Sequence, residues 1–181
     1  MLECVRECRG QTVNVFVDTC IVNRVLDLEE SRPDHEWHED RKYLLELQSG
    51  PVASGIIKLF INPSVMSQVT ATKDPERREA LINITMQFKF TEFNMTIFPF
   101  RFPARFLSPA QKAKIQQLCV EHPNLRPDEK ILADSAFNKD MDVLLTTDRD
   151  LAELQQLGTV KIMLPKELWE YYEAHKSDSA F

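Results

Sequence analysis

The first part of the chain predicts a buried strand followed directly by a helix. Residues 13–17 are mostly apolar and β-branched, which is typical of a strand buried within a sheet. Asp18 and Thr19 follow at once, and both residue types favour the start of a helix. Apolar residues then recur at helical spacing at Ile21, Val22, Val25 and Leu26. The pattern therefore places Asp18 at the carboxyl end of a strand.

Strands and helices alternate through the middle of the chain. A second buried strand is predicted at 56–61, and a helix begins at Pro63. Further helices are predicted over 76–87 and from Pro109 to about Val120. Between them, residues 88–107 contain seven phenylalanines among polar residues and prolines, which indicates an extended segment or a hairpin.

The last third of the chain contains the most regular pattern. We predict a helix over 128–138, a buried strand over 142–146, a helix from Asp148 to Leu157 closed by Gly158, and a strand over 160–164. A terminal helix begins at Pro165. Strands that alternate with helices predict an α/β fold, a three-layer α/β/α sandwich around a central, mostly parallel sheet.

Length and composition favour one globular domain over residues 1–181, with a Phe-rich insertion at about 84–107. No run approaches the roughly 20 apolar residues that a membrane span needs, so we expect no membrane association. No secretory signal is visible at the N-terminus. The four cysteines form no CxxC pair, which favours reduced thiols. We therefore expect a cytoplasmic protein.

Carboxylates follow two of the predicted strands and lie on one helix face. Asp18 ends the first strand and Asp148 ends the strand over 142–146. Asp128 shares a helix face with the apolar stripe around Ile131 and Leu132, at about 100° per residue. Ligands bind beyond the carboxyl ends of strands in open parallel sheets. Crowded carboxylates repel one another, and a hard divalent cation such as Mg²⁺ or Mn²⁺ relieves that repulsion.

Each acid also has a purely structural interpretation. Asp18 and Asp148 can cap helices, and Asp128 can favour a helix N-terminus. Asp134 can lie in water. For a single acid the structural interpretation is the better one, whereas three acids at one predicted sheet edge favour a metal site.

Two segments resemble the PIN domain family. Residues 13–19 resemble the opening strand and first acid of PIN domains, and residues 142–151 resemble their closing strand with its T-x-D motif. Between them, residues 127–133 resemble the helix that carries another family acid. The resemblance implies a ribonuclease dependent on Mg²⁺ or Mn²⁺, of the kind that includes bacterial toxins neutralised by an antitoxin. It further implies that Asp18, Asp128 and Asp148 are the catalytic, metal-binding acids.

The chain departs from the family pattern at one position and leaves another open. Gln68 stands where the family segment presents a glutamate, and its amide oxygen remains a weaker neutral ligand. The middle acid is Asp128 by its helix face, whereas counting back from Asp148 favours Glu129. Asp150 is a further candidate metal ligand, and Asp134 ranks behind it.

Three residues are candidates for supporting roles. Thr19 and Thr146 can hold the acids through hydrogen bonds, or serve as ordinary turn residues. Arg149 can contact a substrate phosphate, although a formal net charge of −6 is unusual for a protein that binds nucleic acid.

The sequence leaves three functions open. The first is an endoribonuclease acting on single-stranded or structured RNA through a metal-activated water, with an antitoxin or other protein partner and a homodimer as expected associations. The second is a catalytically weakened RNA- or protein-binding module, favoured by Gln68. The third is an aspartate-dependent phosphatase or phosphoacceptor, ranked last because Cys20 stands where a phosphatase pattern has an acid.

Overall fold

The computed structural model describes residues 12–29, 38–61, 63–87, 109–124 and 141–176. Within them, five strands form one sheet: β1 (Val13–Val17), β2 (Ile57–Phe60), β3 (Val143–Leu145), β4 (Gln156–Leu157) and β5 (Val160–Met163). The strand order is β2-β1-β3-β5-β4. Neighbouring strands are parallel except for the antiparallel pair of β4 and β5. The predicted α/β class with a mostly parallel sheet is confirmed.

The strand register shows that both faces of the sheet are covered. Directly paired residues of neighbouring strands point to the same face. Val15 pairs with Leu59 of β2 and Val143 of β3, whereas Phe16 pairs with Leu144 on the opposite face. All five side chains are buried. This burial on both faces fits the three-layer α/β/α sandwich and explains why β1 and β3 consist of nearly continuous apolar runs.

Seven α-helices flank the sheet in the described residues: α1 (Thr19–Glu29), α2 (His38–Leu47), α3 (Pro63–Thr70), α4 (Pro75–Gln87), α5 (Pro109–Glu121), α6 (Arg149–Ala152) and α7 (Pro165–His175). A π-helical turn over Gln48–Val52 extends α2 and accommodates Pro51. Helix α2 packs against α7, and α1 packs against α4. The predicted stripe of α1 is confirmed, since Ile21, Val22, Val25 and Leu26 are buried.

The predicted helix from Asp148 to Leu157 is wrong beyond its first turn. Helix α6 ends at Ala152, and Leu157 pairs instead with Val160 in a β-hairpin. Gly158 has a φ of 66°, which hairpin turns require and which a residue without a Cβ adopts freely. The apolar spacing of this segment fits a helix as well as a short edge strand, so its periodicity did not distinguish them.

The described residues cover only part of the Phe-rich insertion predicted at about 84–107. Residues 84–87 form the last turn of α4, where Ile84 and Thr85 are buried. Residues 88–107 lie outside the described residues. Among the helices that are described, none is long and apolar enough to cross a membrane.

Candidate metal centre at the carboxyl edge of the sheet

The strand order brings the ends of β1 and β3 together. The Asp18 amide, directly after β1, donates to the Leu145 carbonyl at 3.0 Å and so extends the pairing of the two strands. Strand β2 lies on one side of β1 and β3 on the other, so the chain changes direction across the sheet at this point. Such a switch point opens a crevice at the carboxyl ends of the strands, where ligands bind in open α/β sheets.

The Asp18 side chain is buried, with 4% of its surface exposed. Its Oδ1 accepts a hydrogen bond from the Thr19 amide at 2.6 Å. Its Oδ2 accepts two, from the Thr146 hydroxyl at 2.8 Å and from the Cys20 thiol at 3.0 Å. Burial raises the pKa of Asp18 above its ordinary value of 3.8 and outweighs these hydrogen bonds, which lower it. The carboxylate is therefore held by donors and yet is costly to ionise.

The negative charge of the second acid, Asp148, also raises the pKa of Asp18, though less than burial does. Asp148 caps α6: its Oδ1 accepts from the amides of Asp150 at 2.9 Å and Leu151 at 3.2 Å. The expected capping role is thus present. Among the described residues no donor bonds to Oδ2 of Asp148, so this oxygen keeps its capacity to bind a cation.

Gln68 reaches the same edge from α3. Its side-chain oxygen Oε1 accepts a hydrogen bond from the Thr19 hydroxyl at 2.5 Å. The Thr19 amide donates to Asp18, so this one residue connects Gln68 to the acid. The structure therefore links the amide of Gln68 to the first acid through Thr19.

Thr146 links the two acid-bearing segments. Its hydroxyl donates to Asp18 and accepts a hydrogen bond from the Asp148 amide at 3.0 Å. Thr146 is fully buried and its position is fixed by β3. Thr146 thus bonds to the Asp18 carboxylate and the Asp148 backbone, and Thr19 bonds to Asp18 and Gln68, which are hydrogen bonds of the kind predicted for these two threonines.

The sequence did not predict that Cys20 contacts the acids: it indicated only a reduced cysteine at a position where a phosphatase pattern has an acid. The Cys20 thiol lies against Asp18, is 3.2 Å from the Thr146 hydroxyl, and accepts a hydrogen bond from the Thr147 amide at 3.1 Å. Burial, with the charge of Asp18, raises the pKa of Cys20 to about 12, so the thiol stays protonated at neutral pH. Its position two residues after Asp18 was the only signal in the sequence.

Charged residues form a cluster next to Asp148. Lys166 donates to Glu39 at 2.9 Å, and this bond lowers the pKa of Glu39. Burial raises the pKa of Asp40, and the nearby positive charges of Arg149 and Arg24 oppose that rise. Arg149 is exposed and directly follows Asp148 in the chain. Cations from three helices therefore gather around the start of α2.

Asp150 does not join the two acids as predicted. Its side chain is exposed, and its Oδ2 accepts a hydrogen bond from Asn124 at 2.9 Å. The candidate middle acids Asp128 and Glu129, together with Asp134, lie outside the described residues. Within the part of the chain that is described, no group of three or more His, Cys, Asp or Glu side chains is close enough to hold a metal ion.

The side-chain oxygens of Asp18, Asp148 and Gln68 fit part of the ligand set of a hard cation. From the described residues, Asp18 Oδ1 accepts a single hydrogen bond and Asp148 Oδ2 accepts none, and Gln68 offers an amide oxygen. Mg²⁺ and Mn²⁺ prefer such ligands. A buried carboxylate beside a second carboxylate is the situation that a divalent cation relieves. A complete site requires at least one further ligand from a protein group or from water.

Comparison of the chain with protein-family models, curated proteins and solved structures found no match.

Proposed function

We propose that this chain is a metal-dependent endoribonuclease with a PIN-like fold. The observation that carries the proposal is the position of buried Asp18 beside Asp148 at the carboxyl edge of the sheet, where β1 and β3 meet. The T-x-D resemblance around Asp148 adds the expectation of RNA as the substrate. A third acid, Asp128 or Glu129, would complete the set.

In the proposed mechanism, Asp18 and Asp148 would hold Mg²⁺ or Mn²⁺, and Gln68 would be a neutral third ligand. The bound cation would supply an acidified water and would stabilise the negative charge that develops on the phosphate. The protein fixes the acids in advance: Thr146 holds Asp18 and the Asp148 backbone together, and Thr19 holds Asp18 and Gln68 together. Such prior alignment reduces the reorganisation required during reaction.

The direct test is a cleavage assay on labelled single-stranded RNA in Mn²⁺, Mg²⁺ or EDTA. We expect cleavage with either metal, none in EDTA, and none by the Asp148→Asn variant. The matched control is Asp74→Asn, because Asp74 caps α4 with the same pattern, accepting from the amides of Glu76 at 3.0 Å and Arg77 at 3.3 Å. Asparagine also caps helices well, so both variants keep their caps.

Equal loss of activity in Asp148→Asn and Asp74→Asn would indicate a general structural effect instead of a catalytic acid. Cleavage that persists in EDTA would contradict the metal dependence. RNA that stays intact with both metals would remove the nuclease proposal.

We also predict that Arg149→Ala weakens RNA binding without changing sequence preference. Arg149 is exposed and directly follows Asp148, so it is suited to contact a phosphate next to the bond that is cut. Loss of one phosphate contact should reduce the slope of log affinity against log salt by about 0.7 for a single strand. Fluorescence anisotropy in EDTA measures this, with Lys58→Ala, an exposed cation of β2, as the control. Unchanged affinity and slope in Arg149→Ala would exclude the contact.

The second candidate is a catalytically weakened module that binds RNA or a protein. Gln68 favours it, because its neutral oxygen accepts from Thr19 where the resembling family carries a negative charge. RNA binding without turnover at saturating Mn²⁺ would support this candidate over the nuclease. The PIN resemblance extends either proposal to an antitoxin-type protein partner and to a homodimer.

A further inference from the structure

The Cys20 thiol connects the two acid-bearing segments. It belongs to the first turn of α1, and its sulfur donates to Asp18 Oδ2 at 3.0 Å. From the other side, the Thr147 amide donates to that sulfur at 3.1 Å, immediately before Asp148 in the chain. The sulfur is therefore held between the end of β1 and the loop that follows β3.

The hydrogen bonds to Asp18 leave one of its two oxygens with a free lone pair for a cation. Oδ2 accepts from both Cys20 and Thr146, which occupies the two in-plane lone pairs of a carboxylate oxygen. Among the residues that the structure describes, Oδ1 accepts only from the Thr19 amide and so keeps one lone pair. The side of the carboxylate that remains open is thus the side that neighbours Thr19 and, through its hydroxyl, Gln68.

Thr146 alone does not fix this orientation of the Asp18 carboxylate. A hydroxyl has one proton, and that of Thr146 is donated to Asp18 while its oxygen accepts from the Asp148 amide. The other donor to Oδ2 is the Cys20 thiol, for which Asp18 at 3.0 Å is the nearer acceptor and the Thr146 hydroxyl at 3.2 Å the farther one. Without it, Oδ2 regains a free lone pair, and the carboxylate can offer either oxygen to a cation.

We propose that Cys20 is a positioning residue, which turns Asp18 so that Oδ1 is presented to the divalent cation. This inference rests on the proposed metal-dependent function. Cys20 acts through Asp18 and contacts neither the cation nor the RNA. It deepens the proposed function by identifying a contact that sets the geometry of the site from outside the ligand set.

The test is calorimetric titration of the full chain with Mn²⁺ in the absence of RNA. Cys20→Ala removes the donor and should weaken Mn²⁺ binding roughly tenfold, as losses of such supporting contacts do. Cys20→Ser keeps a donor and an acceptor and should recover most of the affinity. Cys119→Ala removes a second buried thiol, from α5, and should bind Mn²⁺ like the wild type.

Thermal melting of each variant in EDTA establishes that it is folded. Should Cys20→Ala not fold, Cys20→Val fills the space of the thiol without a donor and takes its place in the comparison. A merely structural role predicts that Cys20→Ser, Cys20→Val and Cys119→Ala lose affinity in proportion to their loss of stability. The positioning role predicts that Cys20→Ala and Cys20→Val lose affinity whatever their stability, whereas Cys20→Ser and Cys119→Ala keep it.

The outcomes separate this inference from the function on which it rests. The role of Cys20 is overturned if Cys20→Ala binds Mn²⁺ with the same affinity as the wild type. Cys20→Val decides the point in the same way if the alanine variant does not fold. In either case the proposed function stands. Failure of Cys20→Ser to recover affinity also overturns that role. A wild-type protein that neither binds Mn²⁺ nor cleaves RNA overturns both.

Discussion

Asp18→Asn is expected to abolish metal-dependent RNA cleavage and to stabilise the protein in EDTA. The loss of activity follows because a neutral amide is a poorer ligand for a hard cation than a carboxylate. We expect a reduction of at least about a hundredfold, since Asp18 is the buried acid at the centre of the site. Functional and stability effects of opposite sign are typical of charged groups at active sites.

The gain in stability has a definite pH dependence. The pKa of Asp18 is raised above 3.8 in the folded protein, mainly by burial, so ionisation is easier in the unfolded chain. At a pH below 3.8 the acid is protonated in both states and adds no cost. The wild type loses stability as the pH rises through the pKa of Asp18 in the unfolded chain and then through its pKa in the folded protein. This loss persists at neutral pH. Asparagine does not titrate and avoids it.

Differential scanning calorimetry of the wild type and Asp18→Asn in EDTA measures this effect. The melting temperature of the variant should exceed that of the wild type at pH 7, and the difference should shrink on acidification. For a chain of this size each kcal/mol corresponds to roughly 2–4 °C. Adding Mn²⁺ should raise the melting temperature of the wild type and leave that of Asp18→Asn unchanged.

The control for this prediction is Asp74→Asn, an exposed carboxylate at the start of α4, which should show neither the pH-dependent gain nor the loss of activity. A less stable Asp18→Asn at pH 7 in EDTA would contradict the cost assigned to the buried charge. Cleavage by Asp18→Asn that still depends on Mn²⁺ would remove Asp18 from the proposed ligand set.

Gln68→Glu is expected to strengthen Mn²⁺ binding by roughly tenfold or more and to raise the cleavage rate. Gln68 is half-buried on α3 and already receives the Thr19 hydroxyl, which donates equally well to a carboxylate. The substitution therefore keeps the hydrogen bond and adds a negative charge near Asp18. In EDTA the added charge should destabilise the protein, because like charges repel more strongly in a buried site.

Titration calorimetry with Mn²⁺ and the RNA assay measure the two gains. Gln116→Glu, the same chemical change at an exposed position of α5, is the matched control and should alter neither. An inert wild type with an active Gln68→Glu would identify a disabled nuclease and favour the binding-module candidate. Unchanged or weaker Mn²⁺ binding by Gln68→Glu would show that position 68 does not face the cation.

Local patterns correctly predicted the elements that carry the site. The apolar runs before Asp18 and Asp148 are buried strands, as the continuous hydrophobicity of β1 and β3 required. Proline at the first position correctly located the starts of α3, α5 and α7, whereas α4 begins at Pro75, one residue before its predicted start at residue 76. These predictions succeeded because each depends on residues close together in the chain.

The prediction failed where two structures share one pattern. The segment after Ala152 has apolar spacing that fits a helix, but Leu157 is buried by pairing with Val160 across a turn at Gly158. The choice between helix and hairpin depended on whether β5 had an open edge to pair with. That edge exists only in the assembled sheet.

The sequence by itself determined that Asp18 and Asp148 each follow a buried strand and that a glutamine stands at position 68, because these are properties of single segments. Only the tertiary structure decided that β1 and β3 are neighbours, and thus that the two acids share one edge. It also decided that Cys20 and Thr146, 126 positions apart, hold the same carboxylate. Contacts between such distant residues follow from the packing of the whole sheet, which no local spacing specifies.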